Sequence, residues 1–206
     1  MADKKPFLEA IAARRTIYTI SPENLPVPTS RVQEIITQVI KHTPSPYNAQ
    51  TARAVIIFDD NHRKYFDAVE SGLEKILPPE VWSVLSGSIK SFRSGGAGTV
   101  LWFEDEEAIE KLTTTHPAIA PFAESWSDQS NGMHQINAWT ALEAEGLGAS
   151  LQHHHFAPDV MSYYHDALKV PKTWKPKAQL VFGTPTAPAG DKAFEPIEGK
   201  RLVLVQ

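Results

Sequence analysis

Arg14, Arg15 and Thr16 form a basic and polar group at the end of a predicted helix. A planar guanidinium binds phosphate oxygens through two parallel N–H donors, and a threonine hydroxyl adds another polar contact. Cations also stabilise the carbonyl end of a helix, so an entirely structural role for the two arginines stays open. A second group of cations near the C-terminus would favour phosphate binding. Its members are Lys192, Lys200 and Arg201.

The segment 43–53 offers short polar side chains between a predicted helix and a predicted strand. Ser45, Asn48 and Gln50 can both donate and accept hydrogen bonds. The segment is longer and more polar than a helix–strand connection requires. Because binding groups concentrate in loops that rigid elements hold, the segment is a candidate ligand loop, although an ordinary polar loop is the alternative.

Residues 153–155 are three consecutive histidines, which raises the question of a metal site. Successive side chains of an extended chain point to opposite faces, so all three cannot ligate one ion without distortion. His153 and His155 could share a face, with Asp159 and His165 nearby. We expect the histidines to be polar lining or surface residues, and we predict no metal site.

Composition limits the classes of function. The 206 residues have a net charge of −4, with 42% apolar and 21% charged residues, which is typical of one globular domain spanning 1–206. The net charge gives no reason to expect binding to nucleic acid or to a membrane surface. The absence of cysteine excludes disulfides, thiolate zinc sites and a cysteine nucleophile. Without a signal peptide or membrane span, we expect a cytoplasmic protein, with the nucleus as a second compartment.

Apolar periodicity predicts helices separating most strands, which indicates an α+β or α/β domain. The predicted helices are 6–15, 29–40, 60–77, 80–92, 104–112, 127–145 and 158–168. The predicted strands are 54–58, 99–103, 149–152, 178–182 and 201–206. We expect 54–58 to be a central strand. The helix 127–145 has a broad apolar face that includes Met133 and Ile136. The terminal strand needs a sheet edge, which a second subunit can supply.

Several segments resemble, in the same order, the motifs of the FMN-dependent nitroreductases. Residues 14–18, Arg-Arg-Thr-Ile-Tyr, resemble the Arg-Arg-Ser-x-Arg motif of that family. Residues 44–50, Pro-Ser-Pro-Tyr-Asn-Ala-Gln, resemble its Pro-Ser-x-x-Asn-x-Gln flavin loop. The similarity continues through 98–103, 129–133, 145–153 and 179–183. It is strongest to the branch with the yeast-type stress- and fatty-acid-response nitroreductases and their bacterial relatives.

The resemblance implies an α+β fold with a mixed or antiparallel sheet flanked by helices, in an intertwined homodimer that exchanges its C-terminal strands. One noncovalent FMN would lie at the dimer interface of each subunit. The phosphate and ribityl chain would contact residues 14–16 and a C-terminal basic residue, and the isoalloxazine ring would contact the 45–50 loop. The cofactor-binding residues expected on this basis are Arg14, Arg15, Thr16, Ser45, Pro46, Asn48, Gln50, Ser150, Leu151, Gln152, His153, Lys192, Lys200 and Arg201.

The sequence departs from the family pattern in several places. Thr16 replaces a serine, and Tyr18 stands where a basic residue is common. Pro46 is unusual within the loop, and the tryptophan or proline that follows the glutamine is missing at 51–52. Residues 154–155 replace a more usual Tyr-Asn pair. These departures concern one phosphate contact and the shape of the pocket.

The family resemblance implies an NAD(P)H oxidoreductase that reduces nitroaromatics or quinones by ping-pong hydride transfer on FMN, with no catalytic side chain. Tyr47, Phe92 and Trp126 are candidates for the substrate face, with core packing as the alternative for each. Three other functions stay open. They are a different flavin reaction such as dehalogenation, enoate reduction or flavin-ring cleavage; a flavin-binding regulator of lipid or oxidative-stress responses with little turnover; and a histidine metal hydrolase.

Overall fold

The computed structural model describes residues 5–205, and an antiparallel β-sheet lies at its centre. The strands in this part of the chain are β1 (Ile20–Ser21), β2 (Ala52–Phe58), β3 (Gly98–Asp105), β4 (Gly148–Gln152) and β5 (Trp174–Pro185). The long strand β5 pairs with β3 along one side and with β4 and β1 along the other. β2 pairs with β3. The fold is therefore α+β, as the sequence predicts.

The position of β2 differs from the expectation. The apolar run 54–58 was expected to be a central strand, but β2 lies at the edge of the sheet, with β3 as its partner among the described residues. The run is apolar because both faces of β2 are partly covered by helices. Coverage of the faces makes an edge strand resemble a central one in sequence.

Helices cover both faces of the sheet. They are α1 (Phe7–Ala13), α2 (Thr29–His42), α3 (Asp59–Ile76), α4 (Pro79–Gly95), α5 (Glu106–Thr115), α6 (Ala120–Ala144) and α7 (Pro158–Ser162), with a π-helical continuation at Tyr163–Ala167 and short 3₁₀ turns at Pro46–Asn48 and Pro117–Ile119. The helices predicted from periodicity are all present. α6 begins seven residues earlier than predicted, and β3 continues through Asp105, so α5 begins at Glu106 rather than at 104.

Two apolar clusters form the core, one on each face of the sheet. Because side chains alternate along a strand, Leu101 and Phe103 of β3 pack into the cluster under α3, α4 and α7. Val100 and Trp102 pack into the cluster under α2 and α6. All four side chains are fully buried. β3 and β5 thus fix the distance between the two helical layers.

The long helix α6 buries polar rather than apolar side chains on part of its core-facing surface. Ser130 and Asn131 are at most 1% exposed, whereas Met133 and Ile136 are 38% and 43% exposed. The apolar face expected from the sequence is therefore only partly covered in one chain. On α1, Phe7 and Leu8 are exposed as well. Large exposed apolar faces of this kind are typical of protein-contact surfaces.

The segment after β5 is exposed. A single isolated bridge joins Glu198 and Leu202, and the strand predicted at 201–206 forms no ladder with its own chain in the described residues. Val203 and Leu204 are 68% and 79% exposed, and position 206 lies outside the described residues. The predicted exchange of this strand with a second subunit stays a prediction.

None of the helices within 5–205 is both long enough and apolar enough to span a membrane.

Candidate functional site

The basic segment predicted to bind phosphate lies against the start of β4. α1 ends at Ala13, and the backbone becomes extended at Arg14, with φ −60° and ψ 110°. Thr16 forms a parallel bridge with Ala149, and the amide of Ile17 donates a 3.0 Å hydrogen bond to the Ala149 carbonyl. Two segments that the sequence predicted to share one site, 14–16 and 149–153, are therefore adjacent.

A cavity of about 320 Å³ opens beside this segment. We call it the basic cavity, and it is lined by Arg14, Arg15, Thr16, Tyr18, Gly190, Asp191 and Lys192. The Arg15 Nη2 donates a 2.7 Å hydrogen bond to the Gly190 carbonyl, which joins the C-terminal segment to the basic segment. Three cations and one carboxylate line the basic cavity, so it carries a net positive charge that suits an anion.

The three C-terminal cations predicted for this site lie in different places. Lys192 lines the basic cavity. Lys200 and Arg201 lie in a turn where their amides donate to the Ile197 carbonyl at 3.3 and 2.8 Å, and they are not among the residues that line the basic cavity. Within one chain, the structure therefore joins only Lys192 to residues 14–16.

Arg14 is partly buried in this cavity, and its guanidinium carbon lies 4.3 Å from the centre of the Trp139 indole ring on α6. Burial lowers the pKa of Arg14, and the neighbouring charge of Arg15 lowers it further, whereas Glu143 raises it. An arginine stays protonated under all such shifts, so Arg14 presents a charged, partly desolvated guanidinium to the cavity.

The loop predicted to contact the flavin ring has an unusual backbone. Tyr47, Asn48 and Gln50 adopt φ values of 53°, 55° and 50°. Residues other than glycine in this left-handed region raise the conformational energy and persist only where the surroundings enforce them. Within the loop, the Ser45 hydroxyl accepts a 2.9 Å hydrogen bond from the Gln50 amide, and the Asn48 amide donates to the Ser45 carbonyl at 2.9 Å. The loop conformation is thus specific rather than random.

The buried polar face of α6 holds this loop in place. The Ser130 hydroxyl donates a 3.0 Å hydrogen bond to the Pro44 carbonyl. The side-chain amide of Asn137, two helical turns further along, donates to the Thr43 hydroxyl at 3.0 Å. Because residues seven apart share one side of a helix, α6 contacts the loop along its length.

A second cavity, of about 620 Å³, opens between this loop and α5. We call it the loop cavity, and it is lined by Tyr47, Asn48, Ala49, Gln50, Arg53, Asp105, Glu107, Ala108, Lys111, Leu112, Thr115 and His116. At its rim the rings of Tyr47 and His116 are in contact, with centroids 4.3 Å apart and an angle of 31° between their planes. The loop cavity and the basic cavity have no lining residue in common among the described residues. One chain therefore presents the two predicted parts of the site separately.

The β4 residues predicted for the site have mixed environments. Ser150 is fully buried and its hydroxyl accepts a 2.8 Å hydrogen bond from the Gln152 side chain. Leu151 packs against the core under α2 and α6. His153 is exposed at the end of the strand. These residues adjoin Ala149, and hence the basic segment, rather than the loop cavity.

The three histidines do not assemble a metal site. The rings of His153 and His155 lie 6.4 Å apart, and burial lowers the pKa of His154 to about 4. The structure brings together no group of three or more His, Cys, Asp or Glu side chains suited to a metal within residues 5–205. The histidine hydrolase alternative therefore has no support in the described residues.

The three aromatic candidates for the substrate face lie in different environments. Phe92 is 2% exposed in the core, as the alternative interpretation predicts. Trp126 stacks on Phe122 at 5.8 Å between ring centroids. Tyr47 is 58% exposed at the rim of the loop cavity, so core packing does not apply to it.

Sequence reasoning missed a buried carboxyl beneath the loop. Glu104 is 1% exposed, and its Oε1 accepts a 2.7 Å hydrogen bond from the Asn131 side chain, while its Oε2 is buried with no hydrogen-bond partner among the described residues. Desolvation raises the pKa of Glu104 to about 7, against the opposing effect of the hydrogen bond from Asn131. Glu104 and Asp105 directly follow the apolar run 99–103 within β3, and that juxtaposition was the available signal.

The adjacent carboxylate, Asp105, acts on the other side of the loop. It accepts a 2.8 Å hydrogen bond from Arg53 Nη2, while Arg53 Nη1 donates to the Gln50 carbonyl at 2.6 Å. On the inner side, the Ser127 hydroxyl donates to the Thr51 hydroxyl at 2.6 Å. The end of the loop is therefore held by Arg53 on one side and by the Ser127–Thr51 hydrogen bond on the other.

Comparison with known proteins gives consistent similarities. Residues 11–184 match the Nitroreductase family. The nitroreductase FRM2 of Saccharomyces cerevisiae is 40% identical over 195 residues, which cover 91% of this chain and 92% of that protein. The nitroreductase CinD of Lactococcus lactis, solved with chloramphenicol, superposes with a TM-score of 0.86 at 31% identity, covering 98% of this chain and all of CinD.

Two further CinD structures contain nicotinic acid and 4-nitrophenol. A protein of Desulfovibrio desulfuricans solved with FMN has a TM-score of 0.67 at 20% identity, covering 98% of this chain and 97% of that chain. At this identity the likeness concerns the fold alone.

The buried carboxyl generates a prediction for stability. Glu104 titrates at about 7 in the folded protein and near 4.5 when unfolded, so the folded state binds more protons between these values. The Glu104 contribution to the free energy of unfolding should therefore fall as pH rises from 4.5 to 7, by about 3 kcal/mol, and level off above pH 7. Glu104→Gln should abolish this contribution, as measured by urea denaturation from pH 5 to pH 8.

The comparison uses the difference between the variant and the parent at each pH, because other groups titrate in the same range. Glu124→Gln, which replaces an exposed carboxyl, serves as the matched control and should follow the parent. Parallel stability curves for Glu104→Gln and the parent would show that the pKa of Glu104 is not raised by folding.

Proposed function

We propose, from the premise that this chain belongs to the nitroreductase family of oxidoreductases, that it is an FMN-dependent NAD(P)H oxidoreductase that reduces nitroaromatics or quinones. The observation that carries the proposal is the basic cavity, which gathers Arg14, Arg15 and Lys192 around one space. The neighbouring positions of segment 14–16 and β4 support the same assignment.

The donors in the basic cavity fit the phosphate of FMN. Arginine presents a planar fork of N–H donors to phosphate oxygens, lysine adds a point charge, and the Thr16 hydroxyl can donate a further hydrogen bond. The cavity volume of about 320 Å³ accommodates a phosphate and part of a ribityl chain rather than a whole flavin. Lys192 is the C-terminal basic residue that we assign to the phosphate, and roles for Lys200 and Arg201 stay predictions from the sequence.

The loop supplies groups suited to the polar edge of the isoalloxazine ring. Ser45, Asn48 and Gln50 carry donors and acceptors, and hydrogen bonds to α6 hold the loop before any ligand binds. Preorganised donors stabilise charge without a cost of reorganisation at the moment of reaction. Bound FMN would supply the redox chemistry, taking up electrons from NAD(P)H and delivering them to the acceptor.

The separation of the two cavities favours a homodimer. The basic cavity and the loop cavity of one chain share no lining residue. If the phosphate lies in the basic cavity of one chain, the loop of a second chain can complete the site. The exposed Met133 and Ile136 on α6, with Phe7 and Leu8 on α1, offer an apolar surface for a second copy. The unpaired edge of β2 within the described chain and the exposed 202–205 segment offer complementary partners for strand exchange.

Besides binding the cofactor, this chain can contact an aromatic substrate through the residues around the loop cavity. The adjacent Tyr47 and His116 rings at the rim can pack against a flat aromatic molecule and exclude water from it. The aromatic ligands of the related CinD structures support acceptors of this class and a nicotinamide donor. No side-chain nucleophile is required by this chemistry.

The visible spectrum gives the first test. The purified protein should be yellow, with FMN released on denaturation, and the flavin absorbance should be lost when NADPH or NADH is added under nitrogen and restored by a nitroaromatic. A colourless protein that refuses saturating FMN would contradict the proposal. Bound FMN that neither nicotinamide bleaches would instead favour the regulator with little turnover.

Arg14→Ala tests the phosphate assignment. Loss of charge-assisted hydrogen bonds should weaken FMN binding by about 10- to 100-fold, because such bonds contribute about 1.5–3 kcal/mol each. The melting temperature of the cofactor-free protein should change little. Arg63→Ala, which removes an exposed arginine paired with Asp60 on α3, is the matched control and should retain FMN. Equal FMN affinity in Arg14→Ala would refute the assignment.

Ile136→Asp tests the dimer. A charge placed in an apolar contact surface is strongly unfavourable. The variant should therefore sediment as a monomer in analytical ultracentrifugation and should hold FMN poorly. Val84→Asp, on the exposed side of α4, places the same charge on a surface that we do not assign to the interface and should remain dimeric. A dimeric Ile136→Asp protein would contradict this interface.

A further inference from the structure

The indole of Trp139 forms a platform under the guanidinium of Arg14. The separation of 4.3 Å between the guanidinium carbon and the ring centre lies well within the range of a cation–π contact. Trp139 itself packs against the apolar cluster under α2 and α6, so the platform is anchored in the core. The contact joins α6 to the residue that caps α1.

The other contacts of the two arginines show why this platform matters. Arg15 is oriented by its hydrogen bond to the Gly190 carbonyl. For Arg14, the structure gives no side-chain hydrogen bond and no ion pair within the described residues, so the stack on Trp139 is the interaction that sets its plane. Stacking occupies the face of a guanidinium and leaves its N–H edge free for a bidentate contact.

We propose that Trp139 is a positioning residue for the phosphate end of the cofactor: it holds the Arg14 guanidinium so that the N–H edge faces the basic cavity. This inference rests on the proposed function, since it assumes that the basic cavity holds the phosphate of FMN. A guanidinium fixed before binding loses less side-chain entropy when the phosphate arrives, which raises affinity without any new contact to the ligand.

The same helix positions the loop. Asn137, two residues before Trp139, donates to Thr43 at the start of the loop, while Trp139 supports Arg14. A single rigid element therefore orients the group assigned to the phosphate and the group assigned to the ring. Trp139 acts through Arg14 and is not assigned any contact with FMN.

The test compares FMN with riboflavin, which has the same ring and ribityl chain but no phosphate. Cofactor-free protein is titrated with each ligand, and binding is followed by flavin fluorescence. Trp139→Leu keeps an apolar side chain but removes the aromatic face, so FMN affinity should fall by about tenfold while riboflavin affinity stays within about twofold. Trp139→Phe keeps an aromatic face and should recover most of the FMN affinity.

Two controls make the result specific. Trp82→Leu on α4 loses an indole that packs against the opposite core cluster, and its preference for FMN over riboflavin should match the parent. In an Arg14→Ala background, Trp139→Leu should cause no further loss of FMN affinity, because the group that it positions is gone. The FMN affinity of Trp139→Leu should also fall less steeply with added KCl than that of the parent.

The outcomes are distinguishable. Equal losses of FMN and riboflavin in Trp139→Leu, or an unchanged FMN affinity and salt dependence, would overturn the positioning role. Losses that add in the double variant would overturn it as well. A parent protein that binds neither flavin would refute the proposed function itself, irrespective of Trp139.

Discussion

Buried polar groups must find hydrogen-bond partners, and α6 meets this requirement through the loop beside it. The buried Ser130 is satisfied by the Pro44 carbonyl, and the buried Asn131 donates to Glu104 and to the Phe103 carbonyl, while the exposed Asn137 adds a hydrogen bond to the Thr43 hydroxyl. The hydrogen bonds from α6 fix Thr43 and Pro44, where the loop begins, and the hydrogen bonds between Ser45 and Gln50 continue from there. A central helix of the core therefore also positions the candidate site.

The basic segment is positioned by close approach of backbones. A Cβ atom at Gly183 would lie 2.7 Å from the Ser21 carbonyl oxygen, and one at Gly148 would lie 3.1 Å from Ile17 Cγ2. Glycine at both positions lets the chain that follows Arg14–Thr16 run directly across β4 and β5. β5 contributes to the core clusters on both faces of the sheet, and β4 packs into the cluster under α2 and α6, so the segment that carries Arg14–Thr16 lies against buried strands.

Local sequence patterns predicted the helices and strands well. The strand order and the burial of individual side chains depend on contacts between distant parts of the chain. The periodicity of α3 or α6 is a property of neighbouring residues, and so is the apolar run of β3. The edge position of β2 depends on which strands pair. An apolar strand that is covered on both faces has the same sequence pattern at the edge of a sheet as at its centre. Met133 and Ile136 are apolar but partly exposed, and periodicity does not distinguish such surface positions from the interior. The choice of Lys192 over Lys200 and Arg201 depends on where an irregular segment returns to the fold, and no local spacing encodes that.

Dividing a cofactor site between two chains has a thermodynamic consequence. A ligand that contacts both copies binds the dimer more tightly than the monomer, so it stabilises association by mass action, and association in turn raises the affinity for the ligand. In the proposed dimer, the exposed apolar faces of α1 and α6 would supply the association energy, while the basic cavity and the loop would supply the ligand contacts. Because α6 bears both the exposed apolar residues and the side chains that hold Arg14 and the loop, a displacement of this helix at the proposed contact between copies would act on the phosphate end of one cofactor and on the ring end of the other. The proposed dimer would therefore couple cofactor retention to assembly through one element of the fold.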